Sequence, residues 1–491
     1  MKNFTLVATL ILATTLNAQT KPAATAHATS RTTAVEPWKH IPTPALHAFH
    51  PQQPRRIELA NGMVIFLQED HELPFINGYI SIRGGSRDEP ANKVGLVSLY
   101  GETWRTSGTT TATGDALDDQ LEAKAARVES GGAFDYTSLS FSSLKQDFDS
   151  VFGTAVDLLL HPAFKKDKLL LAKRQIETGI SRRNDDAAGI AGREATRAVY
   201  GPTSPLGRQP EYATVEAVTL KDLEQFHDRT VHPNNIVLAV GGDFDPTAME
   251  AKLRAIFEPL KRGPQSDPAK LDFPGPTPGV YFINKSDVNQ SNVYIVGLGT
   301  RRNNPDFYAL SVMNEIFSGG FGSRLTQSVR TKLGLAYDVG GGYGSSYDHP
   351  GMFTVVAGTK SVSTVAATQA MLDEINRLKT NPPTAAELAS AKQSLLNSFI
   401  FRYDSREKTL GEQVTLYFYG YPSDFLDRYP AAIEKVTAAD VTRVAQKYID
   451  TGKLAIVVVG NQSELKPALS TLGPVLPIDI TIPPPPPPAK E

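Results

Sequence analysis

"EAVTLKDLEQFHDRTVHPNNIVLAVGGDFD", residues 216–245, comes back later in the same chain as "EKVTAADVTRVAQKYIDTGKLAIVVVGNQS", residues 434–463. Both stretches open with Glu-x-Val-Thr-x-x-Asp, run through an amphipathic helical pattern, and finish in an apolar strand that ends in glycine. The two copies lie 218 to 219 residues apart. A repeat of that period points to a duplicated domain, not to a solenoid of short units.

Working outward, the first half spans residues 56–262 and the second 280–474. Between them "GPQSDPAKLDFPGPTPG", 263–279, has the Pro/Gly density of an inter-domain linker. "GMVIFLQED", "FINGYISIRGG" and "TSLSFSSLKQDF" read as strands. "DFDSVFGTAVDLLLHPAF" has helical period and stops at His-Pro, and "KKDKLLLAKRQIETGISRRNDDA" reads as a long helix. Strands followed by blocks of helix predict an α+β fold. Two homologous domains are expected, each a mostly antiparallel sheet with helices packed on one face.

Composition bounds the function. The chain has 491 residues, 41% hydrophobic and 21% charged, with a formal net charge of −2, which fits a globular protein with a sizeable core and no electrostatic field for nucleic acid. There are no cysteines, which removes disulfides, thiolate metal sites and cysteine nucleophiles. "MKNFTLVATLILATTLNAQ" has a lysine, a short apolar run and Ala18 before Gln19, the pattern of a signal peptide over residues 1–18. Export to the periplasm is therefore expected. No later segment is apolar and long enough to span a membrane. Residues 19–55 read as a linker and 475–491, ending "TIPPPPPPAKE", as a stiff solvated Pro-rich tail.

The common catalytic motifs are missing. There is no G-x-x-x-x-G-K-[ST] and no G-x-S-x-G. "SGGFGSR" follows a helical stretch, not a strand, and does not suit a dinucleotide. His40, His47 and His50 fall in the linker. His71, His161, His227, His232 and His349 include no i, i+4 pair on a helix, the spacing by which zinc hydrolases commonly present two imidazoles.

Several blocks together resemble the pitrilysin, insulinase and mitochondrial processing peptidase family of zinc peptidases. They are "LANGMVIFLQEDHELPFINGYISIRGGSRDEPANKVGL", "LLLHPAF", "AVYGPTSPLGRQPEYATVEAVTLKDLEQFHDRTVHPNNIVLAVGGDFDP" and "NNPDFYALSVMNEIFSGGFGSRLTQSVRTKLGLAYDVGGGY". The resemblance covers about residues 55–475. It implies an inverted zinc motif, H-x-x-E-H, on the helix opening at "GLVSLYGETWRTSGT", residues 95–109. Counted from Gly95, the three places hold Ser98, Gly101 and Glu102; counted back from "SGT", they hold Leu99, Glu102 and Thr103. The third ligand of the family, a glutamate on a later helix, falls at Gly179. Glu177, two residues earlier, points roughly 200° away on a helix.

A hydrolytic zinc needs three protein ligands and one open position. No metal is therefore expected on this chain, and Glu102 reads as a solvated or ion-paired side chain. "SVRTKLGLAY" matches the family's C-terminal Arg/Tyr element, which gives Arg330 and Tyr337. The resemblance implies that this pair holds the substrate backbone, since a guanidinium and a phenol can donate to a peptide carbonyl or an oxyanion. A cation favoured by a helix C-terminus and an ordinary strand tyrosine is the plainer account of the same residues.

The resemblance thus implies a non-zinc subunit of a heterodimeric zinc peptidase, inactive alone. Its partner would be a zinc-bearing homologous subunit and its ligand a peptide substrate. Two alternatives stay open: a structural or peptide-binding module without a catalytic partner, and an active metallopeptidase with rearranged ligands.

Overall fold

A computed structural model describes residues 51–268 and 270–487. The expected signal peptide, most of the 19–55 linker with His40, His47 and His50, and residues 488–491 of the tail lie outside the described residues. Six strands form the first sheet: β1 (Arg55–Glu58), β2 (Val64–Glu69), β3 (Phe75–Arg83), β4 (Arg127–Gly132), β5 (Tyr136–Leu144) and β6 (Ile236–Gly242). Their order is β1-β2-β6-β3-β5-β4. All neighbours are antiparallel except β2 and β6.

The second half supplies β7 (Gly279–Asn284), β8 (Gln290–Leu298), β9 (Thr300–Arg301), β10 (Ala336–Tyr343), β11 (Ser345–Ser346), β12 (Met352–Lys360), β13 (Ala455–Gly460) and β14 (Val475–Pro477). β9 and β11 pair only with each other; the rest form a sheet in the order β10-β12-β8-β13-β7-β14. Taken from its other end, β7-β13-β8-β12-β10 repeats β2-β6-β3-β5-β4, with the parallel pair in the same place. The sheets differ at the outer edge, where β1 runs antiparallel to β2 but β14 runs parallel to β7. The strands of the repeated block are β6 and β13, inside each sheet. Their unbroken apolar runs follow from being covered on both faces.

The first half carries helices α1 (Leu96–Thr106), α2 (Gly114–Glu122), α3 (Phe148–Leu160), α4 (Lys166–Arg182), α5 (Ala187–Tyr200), α6 (Tyr212–Glu216), α7 (Leu220–Thr230) and α8 (Pro246–Phe257). The second carries α9 (Phe307–Ser318), α10 (Thr364–Thr380), α11 (Ala385–Phe399), α12 (Arg406–Phe418), α13 (Tyr429–Lys435) and α14 (Ala438–Tyr448). The helices of the repeated block, α7 and α14, start with the same reciprocal cap. Thr219 and Asp222 form it in one, Thr437 and Asp440 in the other.

Helices of each half bury one face of their own sheet. The opposite face of each sheet receives one helix from the other half. Leu410, Val414 and Phe418 of α12 pack on Val64, Phe66, Val237 and Ala239 of the first sheet. Ile190, Ala191, Ala195 and Val199 of α5 pack on Ile283, Val296, Val457 and Val459 of the second. Each such buried Leu, Val or Phe stabilises by roughly 1.5–3 kcal/mol, more than an exposed ion pair contributes.

The segment read as a linker and the start of the tail expected to be solvated are both held by the fold. In the 263–279 connection, Leu271 and Phe273 are buried with α5 against the second sheet. The Gly263 and Ser266 N–H groups donate to the side chains of Asn234 and Asn235. The tail begins as β14, Ile478 and Ile480 continue onto the α5 cluster, and Ile482 packs on the core of the first half. Apolar side chains at alternate positions, 478, 480 and 482, explain why this stretch docks; residues 483–487 are exposed.

Candidate functional site

Helix α1 stands where the zinc helix was expected. Gly95 begins it at φ +107, a conformation that favours glycine. The buried Glu89 carboxylate accepts from the Gly95 N–H (3.1 Å) and the Val97 N–H (2.6 Å), capping the helix. Burial raises the Glu89 pKa against the pull of those two bonds. The inner face presents Val97, Tyr100 and Trp104 to the core. The Tyr100 hydroxyl lies 2.9 Å from His227 Nδ1, and Trp104 Nε1 donates to the Leu158 carbonyl at 2.7 Å. Burial pushes the His227 pKa down to about 4.

Ser98 and Glu102 are exposed, four residues apart on one face of α1, whereas Leu99 and Thr103 are fully buried. Only the frame counted from Gly95 therefore turns both of its histidine places outward. Its middle position, Gly101, faces β4. A Cβ added there would lie 2.7 Å from the Gly132 nitrogen and 2.9 Å from the Gly131 carbonyl carbon. A Cβ on Gly132 would lie 2.5 Å from the Val97 oxygen. Ser130 completes this contact: its hydroxyl donates to the Gly101 carbonyl (2.5 Å) and accepts from the Arg105 N–H (3.0 Å), inserting itself between helix positions i and i+4. The Arg105 side chain holds the next turn, donating to the Val128 carbonyl at 2.7 Å. Gly101 is a packing glycine, required because helix and strand backbones meet.

α4 packs beside α1. Gly179 lies exposed on it, and a Cβ there would meet nothing within 4 Å. Glu177 is turned elsewhere. Its carboxyl hydrogen-bonds Glu216, and burial together with that bond raises its pKa. The buried Lys173 ammonium donates to Glu216 at its carboxylate (3.2 Å) and its carbonyl (2.8 Å). A serine, two glycines and one glutamate do not make a zinc site. Among the described residues, no group of three or more His, Asp or Glu side chains is placed to hold a metal ion. His71 lies between Glu69 and Asp243, His161 beside Asp157 and His349 beside Asp348, each in a different place.

The Arg/Tyr element lies in the second half. Residues Thr326–Lys332 wind as a wide π-helical segment, a form frequent at functional sites. Gly334 at φ +60 ends it, donating its N–H to the Arg330 carbonyl at 3.2 Å, and β10 begins at Ala336. The Arg330 guanidinium carbon lies 4.9 Å from the centre of the Tyr337 ring and 5.0 Å from that of Phe321, within cation–π range. Tyr337 is 84% exposed and Phe321 73%.

The base of the Phe321 loop is fixed. Arg324 binds both carboxylate oxygens of Glu387 (2.7 and 3.0 Å), which holds the Glu387 pKa down at about 2. A guanidinium within 5.0 Å of two exposed ring centres can hold cation–π contacts and still offer N–H groups to an incoming carbonyl. Phe321 is the member that sequence reasoning missed; an aromatic flanked by Gly319, Gly320 and Gly322 was its only signal.

Comparisons agree in kind. The profile described as "Insulinase (Peptidase family M16)" matches residues 64–199, and "Peptidase M16 inactive domain" matches 217–395. An uncharacterized zinc protease of Rickettsia felis is 24% identical over 400 residues, 79% of this chain and 93% of its own length. The non-peptidase homolog YmxG of Helicobacter pylori is 22% identical over 418 residues, 84% of this chain and 95% of its own. A crystal structure of a peptidase M16 inactive domain from Pseudomonas fluorescens shares the fold at TM-score 0.76 and 24% identity, covering 85% of this chain and all (100%) of that one.

Proposed function

Since this chain belongs to the insulinase family of peptidases, M16, we propose that it is the zinc-free subunit of a two-chain peptidase, supplying substrate-binding groups to a zinc-bearing homologue. The observation that carries this reading is the contrast between the two half-sites. On α1 and α4 the ligand positions are Ser98, Gly101, Glu102 and Gly179, and Gly101 is sealed against β4. In the second half, Arg330 lies beside two exposed rings, Phe321 and Tyr337.

A peptide carbonyl at that pair would accept from the guanidinium and the Tyr337 hydroxyl. These donors stabilise charge that develops on the carbonyl oxygen. Activation of water would fall to the partner, the only chain on which zinc is expected. The leader "MKNFTLVATLILATTLNAQ" supports a periplasmic site of action. Among the described residues no helix is long and apolar enough to cross a membrane.

Reconstitution tests the reading. The chain alone should cleave no peptide, and adding a homologue that carries H-x-x-E-H should yield a stable complex with peptidase activity exceeding that of the homologue alone. Cleavage by the isolated chain, or a homologue fully active without it, would overturn the proposal. A peptide-binding module without a catalytic partner is the second reading. It draws on the same ligand-less helix, and a homologue that never binds this chain would favour it.

A further inference from the structure

The internal duplication gives each position a counterpart, and at one place the halves part. On the sheet face that receives α12, Gln68 is paired with Gly241, and Gly241 with Asn77. The matching row beneath α5 is Ile283, Val459 and Asn292. Ile283 and Val459 are buried there in the apolar cluster with α5. The first half thus has a carboxamide where its duplicate has isoleucine, and no side chain where its duplicate has valine. A cavity of about 680 Å³ opens at this spot, between the sheet, the first turn of α12 and the turn over residues 70–75.

Gln68 is a wall of that cavity and is 1% exposed, yet neither its Oε1 nor its Nε2 meets a hydrogen-bond partner among the described residues. A buried unmet amide is a standing penalty to the fold, and Ile283 shows that the architecture requires no amide there. One acceptor and two donors are what a second amide complements. Four carboxylates, Asp70, Glu72, Glu129 and Glu407, line the cavity against two cations, Arg127 and Arg406. Arg406 is already engaged by the Glu69 carbonyl and Asp70, which leaves Glu72, Glu129 and Glu407 against Arg127. Leu73 and Phe75 add exposed apolar surface to the lining.

We propose that this cavity is a subsite for a peptide segment that lays an amide against Gln68 and a basic side chain against the acidic lining. The proposal rests on the peptide-binding reading above but shares no residue with the Arg330–Tyr337 pair.

Fluorescence anisotropy on the isolated chain tests it, using dye-labelled Ala-Asn-Lys-Ala-amide and its Ala-Asn-Glu-Ala-amide counterpart. The lysine probe should bind at least roughly tenfold tighter than the glutamate probe, the scale of one well-placed charge contact. Gln68→Ile with Gly241→Val, which installs the residues of the second half, should weaken lysine-probe binding by about tenfold or more. A Cβ at Gly241 would lie 3.3 Å from Leu410 Cδ2, so Gln68→Ile alone, which leaves that contact untouched, should melt no lower than the parent. Should that pair fail to fold, Glu72→Gln with Glu129→Gln on the lining should weaken binding comparably. Glu224→Gln, at an exposed carboxylate of α7 outside the cavity, should leave binding unchanged. An unbound lysine probe, or a filled or neutralised cavity that binds as the parent does, would overturn the subsite. The earlier proposal stands or falls separately, on turnover of the reconstituted pair.

Discussion

Tyr294 of β8 meets Gly192 of α5 across the two halves: a Cβ added to Gly192 would lie 3.5 Å from the Tyr294 hydroxyl oxygen. The duplicate contact, Tyr79 of β3 with Gly411 of α12, measures 4.0 Å in the same way. Burial raises the pKa of both phenols. Each exchanged helix is therefore seated over a tyrosine of the opposite sheet, and a glycine sets the approach.

Gly192→Ala should be neutral or stabilising by up to about 1 kcal/mol, because the added methyl finds ordinary contact distance and alanine favours the helix. Gly192→Leu has no such room beside the phenol and should destabilise by about 1–3 kcal/mol. Urea unfolding midpoints at constant slope measure both. Equal tolerance of alanine and leucine would show that the tyrosine does not set the spacing.

The sign reverses at Gly101. Alanine improves intrinsic helix propensity by about 1 kcal/mol, but its Cβ would press on the Gly131–Gly132 backbone at 2.7–2.9 Å. Gly101→Ala should lower stability by about 1–3 kcal/mol net. Denaturant unfolding of this variant beside Gly192→Ala separates a packing glycine from one that merely tolerates its neighbour.

Arg330→Ala and Tyr337→Phe should each lower turnover of the reconstituted pair roughly a hundred- to thousandfold, the usual effect of losing an oxyanion donor, while complex formation persists. Phe321→Ala, which removes one ring from the guanidinium, should reduce turnover less than Arg330→Ala. Steady-state cleavage with size-exclusion chromatography reads both quantities. Unchanged turnover in all three variants would leave the element as surface packing.

His227 gives a pH dependence of definite sign. Its folded pKa of about 4 lies below the ordinary 6.5. Its contribution is complete above pH 6.5, shrinks as the unfolded chain takes up a proton, and is gone near pH 4. The full span is on the order of 3 kcal/mol. His71 acts in the opposite direction, because its bonds to Asp243 and Glu69 raise its pKa. The comparison must therefore be parent against His227→Gln. Melting temperatures of the variant should fall less between pH 6.5 and 4 than those of the parent.

The duplicated halves were legible because the repeated block carries local information. Thr219 with Asp222 and Thr437 with Asp440 start equal helices, and β6 and β13 hold the matching sheet positions. β4 escaped the sequence reading because "RVESGG" is short and ends in two glycines. Those glycines are there for α1, a contact that no local pattern encodes. Helix exchange escaped for a related reason. Leu410, Val414 and Phe418 at four-residue spacing announce an apolar face without naming the sheet that takes it. At the candidate site, the sequence shows that neither counting frame holds a histidine. The choice between the two counting frames waited on the burial of Leu99 and Thr103. Phe321 was missed because exposure of an aromatic ring is a tertiary property.

The exchange of α5 and α12 makes the order of synthesis matter. The first sheet has its last strand, β6, once residue 242 is made, but Val64, Phe66, Val237 and Ala239 wait for Leu410, Val414 and Phe418. At 5–20 residues per second that interval, roughly 170 residues, lasts on the order of ten to thirty seconds. For all of it the nascent first half presents a bare apolar sheet face, while α5 has no sheet to cover. Fragments that end before residue 406 should therefore aggregate where the whole chain does not.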